Sequence, residues 1–236
     1  MITLLADPGR LAGSTLTVSG DPYRHLFRAR RVAVGERLRV VDGEGRARFG
    51  EVAGVGKAAA TVTLLGPAPD FEPAVRVELL VTTLKPERAA WLVEKATEVG
   101  VSAIRFLHSA RAPRTFGDGT IERLRRVAAA AVEQCGRARL PPVTGTHTWD
   151  EVETLTAGFA DLRVLDTGST AAPAPHAPDA SDARGDVALL VGPEGGWTEE
   201  EREGLRRLGW RPLLLGSRVL RTETAAVVGV ARFVMP

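Results

Sequence analysis

Short runs of β character separated by turn residues fill the first 70 positions of the chain. The segments LTV at 16–18, ERLRVVDGEG at 36–45, ARFGEVAGV at 47–55 and ATVTLL at 60–65 carry the β-branched residues and the alternation expected of strands. Asp42-Gly43 and Glu44-Gly45 stand between two of these runs, where a hairpin needs residues that accept positive φ. The pattern predicts a small barrel-like β domain over 1–70. Gly66-Pro67-Ala68-Pro69-Asp70 breaks any regular element and reads as the linker to a second domain over 71–236.

Beyond the linker the period changes. A strand is expected at 75–82, then a helix over 86–99 with Trp91, Leu92, Glu94, Lys95 and Glu98, then a strand at 101–107. The clearest helix follows, because Ile121, Leu124, Val127, Ala128, Ala131, Val132 and Cys135 recur at steps of three and four. Cys135 thereby reads as a small buried hydrophobe and not as a nucleophile. Residues 162–166 and 187–191 read as buried strands, and the Ala-, Pro- and Ser-rich stretch between them as a mobile surface loop that holds His176. Thr198 and Glu201 form a capping box that starts another helix, with Gly209 placed to stop it. A strand at 211–215 and a terminal helix over 222–234, with Ala226, Val230 and Phe233 along one side, complete the series. Strands alternating with helices imply an α/β domain whose mostly parallel sheet is covered on both faces.

Composition narrows the class. A chain of 236 residues, 44% of them apolar, can fill one good core and a small second domain. MITLLADPGR lacks the basic start and apolar run of a secretory signal, and no segment approaches the roughly 20 apolar residues of a membrane span, so a cytoplasmic protein with no membrane partner is expected. One cysteine and four scattered histidines imply no metal. The net charge of +2 conceals an asymmetry: residues 1–140 hold 22 Lys+Arg against 15 Asp+Glu, and residues 141–236 hold 9 against 14. The positive part is the natural side for a polyanion, and most of its charge is arginine, which grips phosphate and stacks on bases. A skewed genomic base composition enriches arginine equally well, so charge alone does not require RNA.

Two glycine-containing segments stand at the ends of expected strands, VGPEGGW at 191–197 and LGSRVLRTETA at 215–225. Ligands of open parallel sheets sit beyond the carboxyl ends of strands, where glycine lets backbone approach closely. Gly192 alone could merely close a turn, but that is a poor account of both loops. Neither is a dinucleotide fingerprint or a nucleoside-triphosphate loop.

These residues resemble the RsmE family of SPOUT-class methyltransferases. LLVGPEGGWTEEE (189–201) and LLGSRVLRTETAAV (214–227) are similar to its two signature segments, with support from LKPERAAWLVEKATEVGV (84–101), VEQCGRARLPPV (132–143) and, more weakly, HLFRARRVAVGERLRVVDGEG (25–45). Arg24-His25 stands where the family usually has two histidines, and Arg30 where it usually has leucine. The resemblance implies a C-terminal domain with a trefoil knot, preceded by a PUA-like, OB-like β-barrel that helps to hold RNA. It implies S-adenosylmethionine bound by Val191, Gly192, Pro193, Gly195 and Gly196 of the first loop and by Leu215, Gly216, Ser217, Val219, Leu220 and Thr224 of the second, with Asp166 beside them. It also implies a homodimer that methylates N3 of a uridine in the decoding region of 16S ribosomal RNA, in the small ribosomal subunit.

Uridine N3 carries a proton and lies on the pairing edge, so the base must be exposed and deprotonated before N3 can attack a methyl group. Arg24, His25, Arg28 and Arg31 in the barrel, and Arg111, Arg114 and Arg137 nearer the pocket, are candidates to grip the RNA, each equally readable as a solvated surface residue. Glu223 and Glu194 are candidates to take the proton, a role that typically contributes about 10²–10⁴-fold. Glu223 is favoured, because Arg218 and Arg221 beside it could stabilise the imide anion. A salt bridge or helix-start role for Glu223 is as well supported, and Glu194 could serve only to tie down its loop. Two other functions compete: a knotted enzyme acting on a ribose 2′-hydroxyl or a transfer RNA, and a non-catalytic RNA-binding assembly factor.

Overall fold

A computed structural model of the chain describes residues 1–112, 115–166 and 185–235. It divides into two compact units, Met1–Glu72 with Ala129–Leu140, and Pro73–Ala128 with Pro141–Pro236. The short segment 129–140 thus joins the first unit, which the run of the sequence did not suggest.

The first unit is built on strands β1 (Ile2–Leu5), β2 (Thr15–Ser19), β3 (Arg37–Val41), β4 (Ala47–Val55) and β5 (Ala59–Pro67). They form one sheet in the order β1-β3-β4-β5-β2, with β1 parallel to β3 and the other pairs antiparallel. The β3–β4 hairpin turns where expected: Gly43 and Gly45 have φ of 75° and 107°, and Asp42 Oδ1 accepts from the N–H groups of Glu44 and Arg46. Residues 20–29, unassigned from sequence, are helical: α1 (Gly20–Tyr23) passes into a π-helical turn over Arg24–Ala29. Tyr23, Leu26 and Phe27 leave this segment for the core made by Leu16, Leu38, Val40 and Val62. The segment is helical because three apolar side chains at that spacing find the open face of the sheet.

The second unit contains β6 (Val77–Thr82), α2 (Pro86–Val99), β7 (Ala103–Leu107), β8 (Val143–His147), α4 (Val152–Thr156), β9 (Asp161–Leu165), β10 (Val187–Val191), α5 (Glu199–Arg207), β11 (Arg211–Pro212) and α6 (Thr222–Val234), and α3 (Asp118–Cys135) begins in it. Six parallel strands lie in the order β11-β9-β10-β6-β7-β8. Every residue of β6 and β10 is buried, as strands covered on both faces must be. The one acid among them, Glu78, accepts from Arg105 Nε at 2.8 Å and from Arg76 Nη2 at 2.9 Å, so its burial leaves no bare charge. Helices α2 and α6 stand where the apolar spacing put them, as does α5 behind its Thr198–Glu201 capping box.

Strand β5 runs on through Gly66 and Pro67, where a break in regular structure was expected, and a second strand differs further. Residues 211–215 read as a full strand, but only Arg211 and Pro212 pair with β9, followed by a single bond from Leu213 N to Val164 O at 2.8 Å. Leu214 and Leu215 then leave the sheet to wall a cavity, a use of apolar residues that a strand pattern imitates. The stretch expected to be a mobile loop, with His176, lies outside the described residues, as does Arg114.

Candidate functional site

The carboxyl ends of β9 and β10 and the chain that leaves β11 enclose a cavity of about 300 Å³, within the range of small-molecule sites. Leu165 ends β9 and Asp166 follows it, Val191 ends β10 and Gly192 to Glu194 with Gly196 and Trp197 follow it, and Leu213 to Gly216 and Arg218 to Arg221 come from the segment after β11, with Thr222 at the start of α6. The two glycine loops therefore face one space. They are also tied directly, since Thr222 Oγ1 donates to the carbonyl of Gly192 at 3.2 Å.

Each loop is shaped by a different local cause. A Cβ on Gly192 would come within 2.7 Å of the buried indole of Trp197, so the ring occupies the place of a side chain. Gly196 turns at φ 69°, and Arg111 Nη1 donates to the neighbouring carbonyl of Gly195 at 2.8 Å, which holds the turn from outside. Gly216 has open space around it but sits at φ 137°, a conformation that L side chains rarely adopt. Asp166 is fixed by Arg202 of α5, which reaches it through Nε at 2.9 Å and Nη2 at 3.3 Å. The hydrogen bond to Asp166 holds the Arg202 guanidinium above its ordinary pKa.

The nominated residues divide plainly. Of the cofactor set, Asp166, Val191, Gly192, Pro193, Gly196, Leu215, Gly216, Val219 and Leu220 line the cavity, while Gly195, Ser217 and Thr224 do not. Of the catalytic set, Glu194, Arg218 and Arg221 line it and Glu223 does not. Glu223 is instead the second residue of α6, with a side chain only 10% exposed; its Oε1 lies 3.7 Å from Arg88 Nε and its buried Oε2 has no hydrogen-bond partner among the described residues. The same Arg88 pairs through Nη1 with Glu194 at the cavity rim.

The RNA candidates divide as well. Arg24, His25, Arg28 and Arg31 are exposed on one stretch of the first unit. Arg24 pairs with Asp21, Arg28 donates to the carbonyl of Lys57 and lies over the Tyr23 ring, and Arg31 has a φ of 58°, the positive value that ends the π-helical turn. Arg137 is different: its guanidinium is buried and held by Glu72, with Nη2 to Oε2 at 2.6 Å. The same Glu72 accepts from the N–H groups of Ala138 and Arg139, so Arg137 sits in a structural anchor within the first unit.

A family model described as an RNA methyltransferase domain matches residues 71–234, and one described as an RNA methyltransferase PUA domain matches residues 18–65. Ribosomal RNA small subunit methyltransferase E of Mycobacterium bovis is 36% identical over 92% of this chain and 85% of its own. The chain belongs to the ribosomal RNA small subunit methyltransferase E family. A protein of the same name from Synechocystis is 29% identical over 97% of the chain and 76% of its own. The crystal structure of the Neisseria gonorrhoeae ribosomal RNA small subunit methyltransferase E bound to S-adenosyl methionine superposes with a TM-score of 0.82, at 26% identity, over 98% of this chain and 94% of that one. In this family member, sequence reasoning passed over Arg88, Trp197 and Leu214. Arg88 lies in the supporting segment 84–101 without a role of its own, and its meeting with Glu194 spans 106 positions. Trp197 closes the glycine run, and a large ring following several glycines was the available signal.

Proposed function

We propose that this chain transfers a methyl group from S-adenosylmethionine to N3 of a uridine in 16S ribosomal RNA, acting in the cytoplasm on the small ribosomal subunit as a homodimer. The observation that carries the reading is the meeting of the two glycine loops around one cavity, locked by the Thr222–Gly192 hydrogen bond. The cavity suits that donor: Val191, Leu213, Leu215 and Leu220 offer an apolar wall for an adenine ring, Asp166 offers a carboxylate for hydroxyl or amino groups, and Glu194 brings negative charge to the side of a sulfonium. The trefoil threading implied by the family resemblance belongs to the same reading, and the exposed Val228 on α6 and Trp91 on α2 are available to a dimer partner.

When bound, the donor supplies an electrophilic methyl carbon. The chain's own residues do the rest. Arg24, His25, Arg28 and Arg31 hold the RNA backbone while the target base leaves its stack, an event that costs about a few kcal/mol. Arg218 and Arg221, exposed and facing the cavity, stabilise negative charge on the uracil oxygens as N3 gives up its proton. Of the two carboxylates that line the cavity, Asp166 is engaged by Arg202 and Glu194 stands at the rim, which supports Glu194 as the group that takes that proton, with Glu223 behind it. The N3 electron pair then forms the bond to the methyl carbon as the carbon–sulfur bond breaks toward sulfur. Nothing in this sequence requires a covalent enzyme intermediate.

The test uses the purified chain with S-adenosylmethionine and small subunits from cells lacking it, followed by mass mapping of the RNA. Methyl addition to uridine N3 is expected. Methylation of a ribose, or calorimetric silence toward S-adenosylmethionine in folded protein, refutes the reading.

A further inference from the structure

Arg88 is the third residue of α2, outside the cavity lining, yet it pairs with both candidate proton acceptors, Glu194 and Glu223. Its Nη1 pairs with Glu194, whose side chain is 66% exposed at the rim. Its Nε lies 3.7 Å from Glu223, whose side chain is 10% exposed. The three residues come from three elements: the helix after β6, the loop after β10 and the start of α6. A buried carboxylate of a nearly enclosed helix residue is costly unless a cation stands close, and the Glu223 Oε2 has no hydrogen bond among the described residues. Arg88 supplies that cation. A planar guanidinium presents several donors in a fixed fork, so one face can stay with Glu223 while the end of the fork reaches Glu194.

We infer that Arg88 is a positioning residue for methyl transfer: anchored by buried Glu223, it holds the Glu194 carboxylate in the orientation needed to take the N3 proton. The arrangement repeats the general logic of a base oriented by a second group that is itself fixed by a third. It gives Glu223 its part in the reaction without contact with the substrate, and it accounts for a carboxylate turned away from the cavity its own segment lines. The inference rests on the proposed methyl transfer and adds a role that neither glycine loop supplies.

The test measures, on full-length protein, single-turnover methylation of small subunits and calorimetric affinity for S-adenosylmethionine. Arg88→Ala is expected to slow transfer on the order of 10²-fold, the usual consequence of misplacing a reacting group, while the donor's Kd stays within about twofold. Arg88→Lys keeps one charge contact and should recover about tenfold of the loss. Glu223→Gln should slow the wild type but have no further effect on Arg88→Ala, because its action passes through Arg88. Unchanged turnover in Arg88→Ala, additive losses in the double variant, or affinity and melting temperature falling in step with the rate each overturn the inference. If the wild type itself neither binds the donor nor transfers methyl, the functional reading fails with it; an active wild type beside an unaffected Arg88→Ala sinks the positioning role alone.

Discussion

The two glycine loops that enclose the cavity are carried by unequal supports. The loop at 192–197 follows β10, a five-residue strand that is buried throughout and pairs with β9 on one side and β6 on the other. The loop at 215–222 follows β11, which is two exposed residues at the edge of the sheet. Their key glycines differ accordingly. Gly192 is demanded by volume, because the Trp197 ring fills the place of a side chain, whereas Gly216 is demanded by backbone conformation in open space. One half of the cavity is set by close packing and the other by local dihedral angles, so the first should be stiff and the second adaptable.

The sharpest way to break that distinction is to trade volume at the first loop. Gly192→Ala must displace the Trp197 ring or the strand, and overpacking of this kind costs about 1–3 kcal/mol. Urea denaturation should register the loss, and S-adenosylmethionine affinity should fall with it, since Gly192 and Trp197 both line the cavity. Trp197→Phe in the same background removes the indole atoms that a new Cβ would meet at 2.7 and 2.9 Å. Most of the loss caused by alanine should then disappear. Independent, additive costs would show that volume is not what holds position 192.

Gly216→Ala probes the other half. No neighbour lies within 4 Å of a new Cβ, so the cost is conformational, about 1–3 kcal/mol if the dihedral angles persist. Because the segment is exposed and its strand is short, the loop can relax to other angles. The expected outcome is a weaker calorimetric affinity for the donor, with a urea midpoint that moves less than in Gly192→Ala. A midpoint that moves further than in Gly192→Ala would reverse the comparison of supports.

This contrast explains how much was legible beforehand. The helices at 86–99 and 222–234 and the capping box at Thr198 rest on periodicity and local hydrogen bonding, which the order of residues carries within one or two turns. Strands such as Val143–His147, with the sequence VTGTH, carry little alternation and are made by their neighbour β7. The apolar run at 213–215 looked like a strand because burial against a cavity and burial in a sheet select the same side chains. Glycines at both loops stood out in the sequence, but the reason for each did not: Gly192 depends on a ring five positions later, and Gly216 on a φ that no residue type reveals. The pairing of Arg88 with Glu194 and Glu223 is wholly tertiary, and resemblance of a segment could mark its neighbourhood without assigning it a partner.

The smallest expected effect concerns what keeps the weak support in place. Arg211 of β11 donates to Asp161 Oδ1 at 2.7 Å, and Asp161, with a fully buried side chain, also takes Arg163 Nε at 2.6 Å. Burial works to raise the Asp161 pKa, but the hydrogen bonds from Arg163 and Arg211 outweigh it, and the net value lies below the ordinary carboxylate range. A carboxyl whose folded pKa is depressed contributes stability that is complete above its unfolded value, near pH ~4, and is lost as pH falls through the lower folded value. Arg211 is half exposed, so its share is screened, and Arg211→Ala should cost about 1 kcal/mol or less at pH 7. The difference between wild type and variant in urea melts should shrink toward zero once acid protonates Asp161. If the cavity's adaptable side depends on this clamp, hydrogen exchange at 213–216 will quicken in Arg211→Ala at neutral pH while exchange along β10 stays unchanged. Equal quickening in both strands would mean that the two loops share one cooperative support, and the distinction between them would be lost.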